Sequence, residues 1–175
     1  DIEAEDFGAM FDASLQAESD NLWASANYFP KKMIIEFIEV DAEKVRDLFR
    51  YLFDETEELP DRIHAFLKGC DEFLAFLNEQ EDREKKLGQH YHKDMRAISF
   101  YLTFRYPERY FTYKYTEAKR VAEWTQAEPI SMTWDPAEKY TWYLSMAKEI
   151  RSYLVAHEEL KSTYLAWLKE NDLTD

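Results

Sequence analysis

The sequence predicts a mainly α, compact multi-helix domain of about seven helices, with one short extended or β segment near residues 109–115. Glycine and proline are scarce, with only 3 and 5 among 175 residues, whereas Glu, Lys, Leu and Ala are frequent. Apolar residues recur at helical spacing along most of the chain. Hydrophobic residues make up 46% of the sequence, enough for one core. We therefore expect a single domain over residues 1–175.

Four helices are predicted in the first half of the chain. The first runs from about Glu3 to Ala24, and Pro30 offers the next start. Residues 33–40 fit either a short helix or a strand, and we favour the helix. Asp41 is a suitable N-cap for a third helix with one apolar stripe. Pro60 suits the first turn of a fourth helix that continues to about residue 79.

The second half predicts further helices around one extended stretch. A helix from Lys93 ends near Tyr106, because the proline at 107 disfavours helix in the residue before it. Residues 109–115 prefer extended structure, and Thr116 can cap the helix that follows. Asp135 precedes a proline and has a glutamate three residues later, which is a strong helix start. A last helix carries apolar residues at Leu160, Tyr164, Leu165 and Leu168.

Charge is distributed unevenly along the chain. The net charge is −14; residues 1–60 carry 16 acidic and 5 basic side chains, whereas residues 91–121 carry 3 and 7. An acidic protein is not attracted non-specifically to DNA or to anionic membranes, but a local basic patch is compatible with that balance. No apolar run approaches the roughly 18 residues of a membrane span, and no signal peptide is visible. The single cysteine, Cys70, excludes a disulfide within the chain, so we expect a buried thiol and a cytoplasmic protein.

Catalytic motifs are lacking in the sequence. Glycine occurs only at positions 8, 69 and 88, so no glycine-rich loop can surround a phosphate. His90 and His92 form a pair, but a metal site needs three or four ligands. We therefore expect no enzyme activity, no catalytic residue, no metal and no cofactor in this chain.

The most informative stretch is residues 92–120, called the aromatic–basic segment below. Aromatic rings could stack on bases there while cations neutralise phosphates. The candidate nucleic-acid-binding residues are Arg96, Arg105, Arg109, Tyr110, Tyr113, Lys114, Lys119 and Arg120. The alternative, which we favour, is that half of the rings fill the core while their hydroxyls and the cations pair with the acidic N-terminal half.

This segment also resembles a known family. The run from 91 to 115, centred on Arg-Tyr-Pro-Glu-Arg-Tyr at 105–110, is similar to a stretch upstream of the ATPase module in McrB-like AAA+ proteins, which are 5-methylcytosine-specific restriction subunits. Residues 45–55, 62–66, 143–144 and 150–154 fit the same region. The resemblance covers roughly residues 30–170, and no DNA-reading residue can be carried over from it.

The resemblance implies a non-catalytic N-terminal recognition domain cut from a longer protein. An AAA+ motor would follow in the same chain, and a nuclease subunit would cut in trans. Such a domain would serve restriction or phage defence and contact DNA through the aromatic–basic segment. The alternative function is a protein-interaction or assembly module that binds a partner or a phage component through its acidic surface.

Overall fold

The computed structural model describes residues 2–15, 29–80, 93, 95–131 and 133–172. These residues form eight α-helices and no strand, which confirms the predicted mainly α class. The helices are α1 Phe7–Ser14, α2 Pro30–Val40, α3 Ala42–Leu52, α4 Leu59–Glu79, α5 Met95–Arg105, α6 Tyr115–Thr125, α7 Pro136–Ala156 and α8 Glu158–Glu170.

Predicted start signals operate at three helices. The carboxylate of Asp41 accepts a hydrogen bond from the backbone N–H of Lys44 at 2.9 Å and caps α3. Asp135 does the same for the N–H of Ala137 at 2.9 Å and caps α7. Pro60 lies in the first turn of α4. Each residue satisfies or removes a backbone donor that a helix start leaves without an intrahelical acceptor.

Two predicted boundaries are wrong. The first helix begins at Phe7 rather than Glu3, because the Asp6 carboxylate accepts the N–H of Ala9 at 2.9 Å and so caps α1 there. This helix ends at Ser14, and residues 16–24 lie outside the described residues. Thr116 does not cap α6, which starts one residue earlier; its N-cap is Lys114, without a side-chain hydrogen bond.

The two segments with ambiguous patterns have different outcomes. Residues 33–40 are helical, within α2. Residues 110–114 are not helical and not paired as a strand, although Lys114 has extended backbone angles. The backbone N–H of Tyr113 donates to Oγ of Ser99 at 2.8 Å. The hydroxyl of Ser99 therefore accepts the hydrogen bond that a neighbouring strand would otherwise have accepted.

The hydrophobic core is built around α4. Helix α3 packs closely along it at Gly69, where an added Cβ would collide with the side chain of Leu48. Aromatic rings extend the core from α3 through α4 to α5, with Phe49 and Tyr101 edge to face at a centroid distance of 5.1 Å. Cys70 is fully buried, and burial raises the pKa of its thiol. This position agrees with a structural thiol.

Helix α8 differs from the other helices in its packing. It contains no buried residue, whereas α1 to α7 each bury at least two. It packs on α7, and a single residue, His157, separates the two helices. Within the described part of the chain, no helix combines the length and apolarity that crossing a membrane requires.

Candidate functional site

A buried ion pair between Arg62 and Glu55 contacts the aromatic–basic segment. Arg62, on α4, is only 3% exposed. Its Nη1 donates to Oε1 of Glu55 at 2.6 Å and to the backbone oxygen of Leu52 at 3.1 Å. A guanidinium so deeply buried needs such acceptors, because the desolvation of an unpaired charge is costly.

Two candidate residues of the aromatic–basic segment complete this cluster. The hydroxyl of Tyr110 donates to Oε1 of Glu55 at 2.5 Å and accepts from Nη2 of Arg62 at 2.7 Å. Nη1 of Arg109 donates to Oε2 of Glu55 at 2.7 Å. A single carboxylate therefore accepts hydrogen bonds from three side chains that come from α4 and from the loop before α6.

The hydrogen bonds set the protonation state of this cluster. Burial alone would raise the pKa of Glu55, but donation by Tyr110, Arg109 and Arg62 outweighs it, so the pKa lies below its usual value. Burial, together with the hydrogen bond to Glu55, raises the pKa of Tyr110. The cluster therefore holds an ionised carboxylate and a neutral phenol at neutral pH, and its hydrogen bonds join α4 to the loop before α6.

The tyrosines of the segment face inward. Tyr110 and Tyr113 are 5% and 4% exposed, and Tyr113 packs edge to face against Tyr143 at a centroid distance of 5.2 Å. The hydroxyl of Tyr106 donates to the backbone oxygen of Phe53 at 2.8 Å. In this arrangement neither Tyr110 nor Tyr113 presents a ring face on which a base could stack.

The remaining candidate cations are spread over α5 and α6. Arg96 is half-buried in α5, and the exposed guanidinium of Arg105 lies 5.5 Å from the ring centroid of Tyr106. On α6 and at its N-cap, Lys114 and Arg120 both lie near Glu117, at 3.5 and 3.6 Å, and Lys119 lies 3.8 Å from Glu123. Exposed pairs of this kind are weak and easily exchanged for another anion.

One exposed aromatic residue near these cations escaped the sequence analysis. Trp124, on α6, is 79% exposed, the highest value among the exposed large hydrophobic residues. Ala118 and Ala122 form the buried stripe of α6, and position 124 falls on the opposite side of the helix. The sequence could have indicated this exposure, because Trp124 lies off the apolar stripe of its helix and four residues after Arg120.

Several exposed apolar side chains lie on α8. Leu160, Tyr164 and Trp167 are 43%, 49% and 50% exposed and share one face, at positions i, i+4 and i+7. The rings of Tyr164 and Trp167 are nearly parallel, 14° apart in orientation with centroids 6.4 Å apart. Leu165 is also half exposed, but it lies on a different side of α8, about 100° around the helix from Tyr164. We call Leu160, Tyr164 and Trp167 the α8 face.

A face of this kind is unusual for a surface helix. Single exposed apolar residues are common, but contiguous ones mark surfaces that another molecule covers. The sequence predicted this helix from apolar residues at Leu160, Tyr164, Leu165 and Leu168, but it did not name Trp167, and Leu168 is partly buried. Helical spacing shows that apolar residues share a side of a helix, but it does not show whether a core lies opposite that side.

The described residues contain no group of three or more His, Cys, Asp or Glu side chains that could hold a metal ion. The histidine pair considered in the sequence, His90 and His92, lies outside the described residues. Only the spacing of these two histidines in the sequence therefore bears on a metal site at that position.

Comparisons with known proteins add no relative. No family model matches the sequence, no curated protein matches it, and no solved structure matches the fold. The resemblance to McrB-like proteins thus stays a prediction based on the residues quoted above.

Proposed function

We propose that this chain is a protein-interaction module and that its α8 face binds a basic, amphipathic helix of a partner protein. The observation that carries the proposal is the exposure of Leu160, Tyr164 and Trp167 along one side of a helix that buries none of its own residues. Apolar side chains in that arrangement gain free energy when a second apolar surface covers them.

The shape of the face suits a helix. α8 has 13 residues and is therefore about 20 Å long. Its apolar residues form a ridge at i, i+4 and i+7 spacing, which is the pattern that packs between the side chains of a neighbouring helix. An interface of one helix against another is at the small end of the known range, so we expect a transient complex.

Charge favours a basic partner over a second copy of this chain. The net charge of −14 would oppose self-association, because two copies would bring the same sign together. The surroundings of the face have the same sign: residues 122–175 carry 10 acidic and 5 basic side chains. A partner helix with lysines or arginines beside its apolar stripe would match both properties.

The sequence analysis gave a protein-interaction module as its alternative function, with the acidic surface as the binding surface. The function proposed here differs, because the apolar α8 face makes the contact and the acidic side chains around it supply the charge. The resemblance to McrB-like proteins would put such a module at the N-terminal side of an AAA+ motor in a restriction or phage-defence system. The partner would then be a protein that the assembly recruits or senses.

The test uses a synthetic probe. An 18-residue peptide with leucines at i, i+3, i+4 and i+7 and lysines elsewhere is titrated into the chain, and binding is followed by fluorescence anisotropy. We expect saturable binding that is lost in the triple variant Leu160→Ser, Tyr164→Ser, Trp167→Ser. The matched control is Phe76→Ser with Trp124→Ser, which also removes exposed rings, 50% and 79% exposed, without a change in charge.

Two outcomes would overturn the proposal. Equal binding by the triple variant and the control would mean that net charge alone attracts the peptide. A wild-type dimer that the triple variant converts to a monomer, measured by light scattering, would mean that a second copy occupies the face. A version of the peptide with glutamate in place of lysine should bind at least tenfold more weakly if the charge argument is correct.

A second candidate function has its own supporting observation. Trp124 is 79% exposed on the same helix as Lys119 and Arg120, whose ion pairs are weak. An exposed ring beside cations is the arrangement that stacks a base and contacts its phosphates in single-stranded nucleic acid. This surface keeps three of the sequence candidates, Lys114, Lys119 and Arg120, and replaces the buried tyrosines with a tryptophan.

Titration with oligo-dT and with methylated and unmethylated duplexes across salt concentrations tests this candidate. We expect Trp124→Ala to weaken single-strand binding about tenfold. Lys119→Gln with Arg120→Gln should reduce the slope of log affinity against log salt by about 1.4. Absence of binding at low salt would rule the function out, because phosphate contacts are strongest there.

A further inference from the structure

Two tryptophans and three carboxylates line one open cavity of about 690 Å³. Trp134 and Asp135 come from the loop before α7, and Glu138 and Trp142 come from its first two turns. Glu128 contributes from the loop after α6, and His64 from α4. Neither the α8 face nor the cations of α6 are part of this cavity, so its function is independent of the one proposed above.

The two indoles form a corner. Their centroids are 6.1 Å apart and their planes are inclined by 65°, an edge-to-face arrangement. Two rings at such an angle present two faces to a group that sits in the corner. Both tryptophans are only partly buried and pack on the core, which fixes the geometry of the corner before any ligand arrives.

The carboxylates give the cavity a negative charge. Asp135 is already engaged, because its Oδ1 accepts from Nε2 of His64 at 2.8 Å and from the N–H of Ala137. Glu128 and Glu138 are exposed, and their carboxylates make no ion pair with any other described residue. Among the residues that the structure describes, no lysine or arginine lines the cavity.

These features select one kind of cation. The described carboxylates and histidine do not form a group that could hold a metal ion. A primary ammonium or a metal would also lose strong hydration against the indoles. A methylated ammonium spreads its charge over an apolar surface, and indole faces attract it electrostatically. We propose that the cavity between α4 and α7 binds a quaternary alkylammonium group against the indoles of Trp134 and Trp142, with Glu128 and Glu138 supplying the counter-charge.

The shared chemistry of a choline-type metabolite and a trimethylated lysine side chain is the trimethylammonium group. The experiment titrates the whole chain with choline, with trimethyl-lysine, with unmodified lysine and with 3,3-dimethyl-1-butanol, the uncharged isostere of choline. Indole N–H signals in ¹H–¹⁵N NMR spectra, assigned by single Trp→Phe variants, report which rings the ligand contacts.

We expect choline or trimethyl-lysine to shift the signals of Trp134 and Trp142, and the tighter of the two identifies the source. The uncharged isostere and unmodified lysine should each bind at least tenfold more weakly. Glu128→Gln with Glu138→Gln should weaken binding several-fold. Both glutamates are exposed, so this variant keeps the fold even where a tryptophan substitution does not.

Trp124→Ala is the matched control, since this ring is exposed elsewhere, and it should leave the affinity unchanged. Equal affinities for choline and its isostere would overturn the proposal, because the site would then recognise shape without charge. Unchanged affinity in the double glutamine variant, or signals of Trp134 and Trp142 that do not respond to either trimethylammonium compound, would also overturn it.

Discussion

The aromatic–basic segment and α8 both carry aromatic residues, yet the structure places their rings in opposite environments. Tyr110 and Tyr113 are about 5% exposed, and Tyr110 has its hydroxyl bonded to Glu55 and Arg62. Tyr164 and Trp167 are about half exposed. The first region is part of the core, and the second lies at the surface, where we propose that a partner binds.

The difference arises from what lies opposite each region. The loop before α6 lies against α5 and α7, where Ser99, Tyr140 and Tyr143 receive it. Helix α8 packs on α7, which precedes it directly, and buries none of its own residues. Aromatic residues in the two regions therefore have different consequences, because the free energy of burial comes from the surface that is covered and not from the residue itself.

The largest effect that tests this comparison should come from the buried ring. Tyr113→Ser removes a side chain that packs against Tyr140 and Tyr143, with centroid distances of 6.3 and 5.2 Å. We expect a loss of about 3–5 kcal/mol in the free energy of unfolding, as for other large aromatic truncations in cores. Urea denaturation followed by circular dichroism measures it. A loss below about 1 kcal/mol would show that this region is not part of the core.

A slightly smaller effect is expected from the hydrogen-bonded cluster around Glu55 and Arg62. Glu55→Ala leaves Arg62 buried without its carboxylate, and such uncompensated charges cost about 3 kcal/mol. The double variant with Arg62→Met should recover part of that loss, because no buried charge remains. If the single and double variants are equally destabilised, Glu55 contributes through packing and not through its charge.

The same carboxylate predicts a dependence on pH. Its pKa is lowered in the folded chain, so its contribution is present above the unfolded value of about 4.3 and is lost as the pH falls through the folded value. Between about pH 5 and 3 the wild type should lose more stability than Glu55→Gln does. Parallel curves for the two proteins in urea titrations at each pH would contradict this assignment.

The smallest effect on stability should come from α8. Tyr164→Ser repeats the substitution made at Tyr113, but on a ring that is 49% exposed. We expect the free energy of unfolding to change by no more than about 0.5 kcal/mol, while binding of the basic amphipathic peptide weakens. A loss as large as that of Tyr113→Ser would mean that the α8 face is already covered in the folded protein.

The sequence predicted most of the helices because their signals are local. Asp41 and Asp135 cap as expected, and the apolar spacing gave the helix class without tertiary information. The predicted start of α1 was wrong because the carboxylate of Asp6 accepts the N–H of Ala9 and so caps the helix after the predicted start. The extended preference of residues 109–115 was recognised, but whether a strand could pair there depends on distant parts of the chain.

The candidate surfaces were less predictable. The list of cations and tyrosines in residues 92–120 could not show that Glu55 would engage Tyr110 and Arg109, since those contacts span more than 50 positions. The exposure of Trp124 and of the α8 face depends on the absence of an opposing helix among the described residues, and no local pattern reports that. The exposure of a helix face depends on tertiary packing, even when the apolar spacing along that helix is a local property of the sequence.

Amide hydrogen exchange of α8, with and without the basic amphipathic peptide, tests the central claim most directly. Because α8 buries no residue, its amides should exchange about a hundredfold or more faster than those in the middle of α4 in the free protein. Saturating peptide should slow α8 and leave α4 unchanged. Exchange in free α8 as slow as in α4, or no protection of α8 by the peptide, would contradict the assignment of the α8 face as a docking surface.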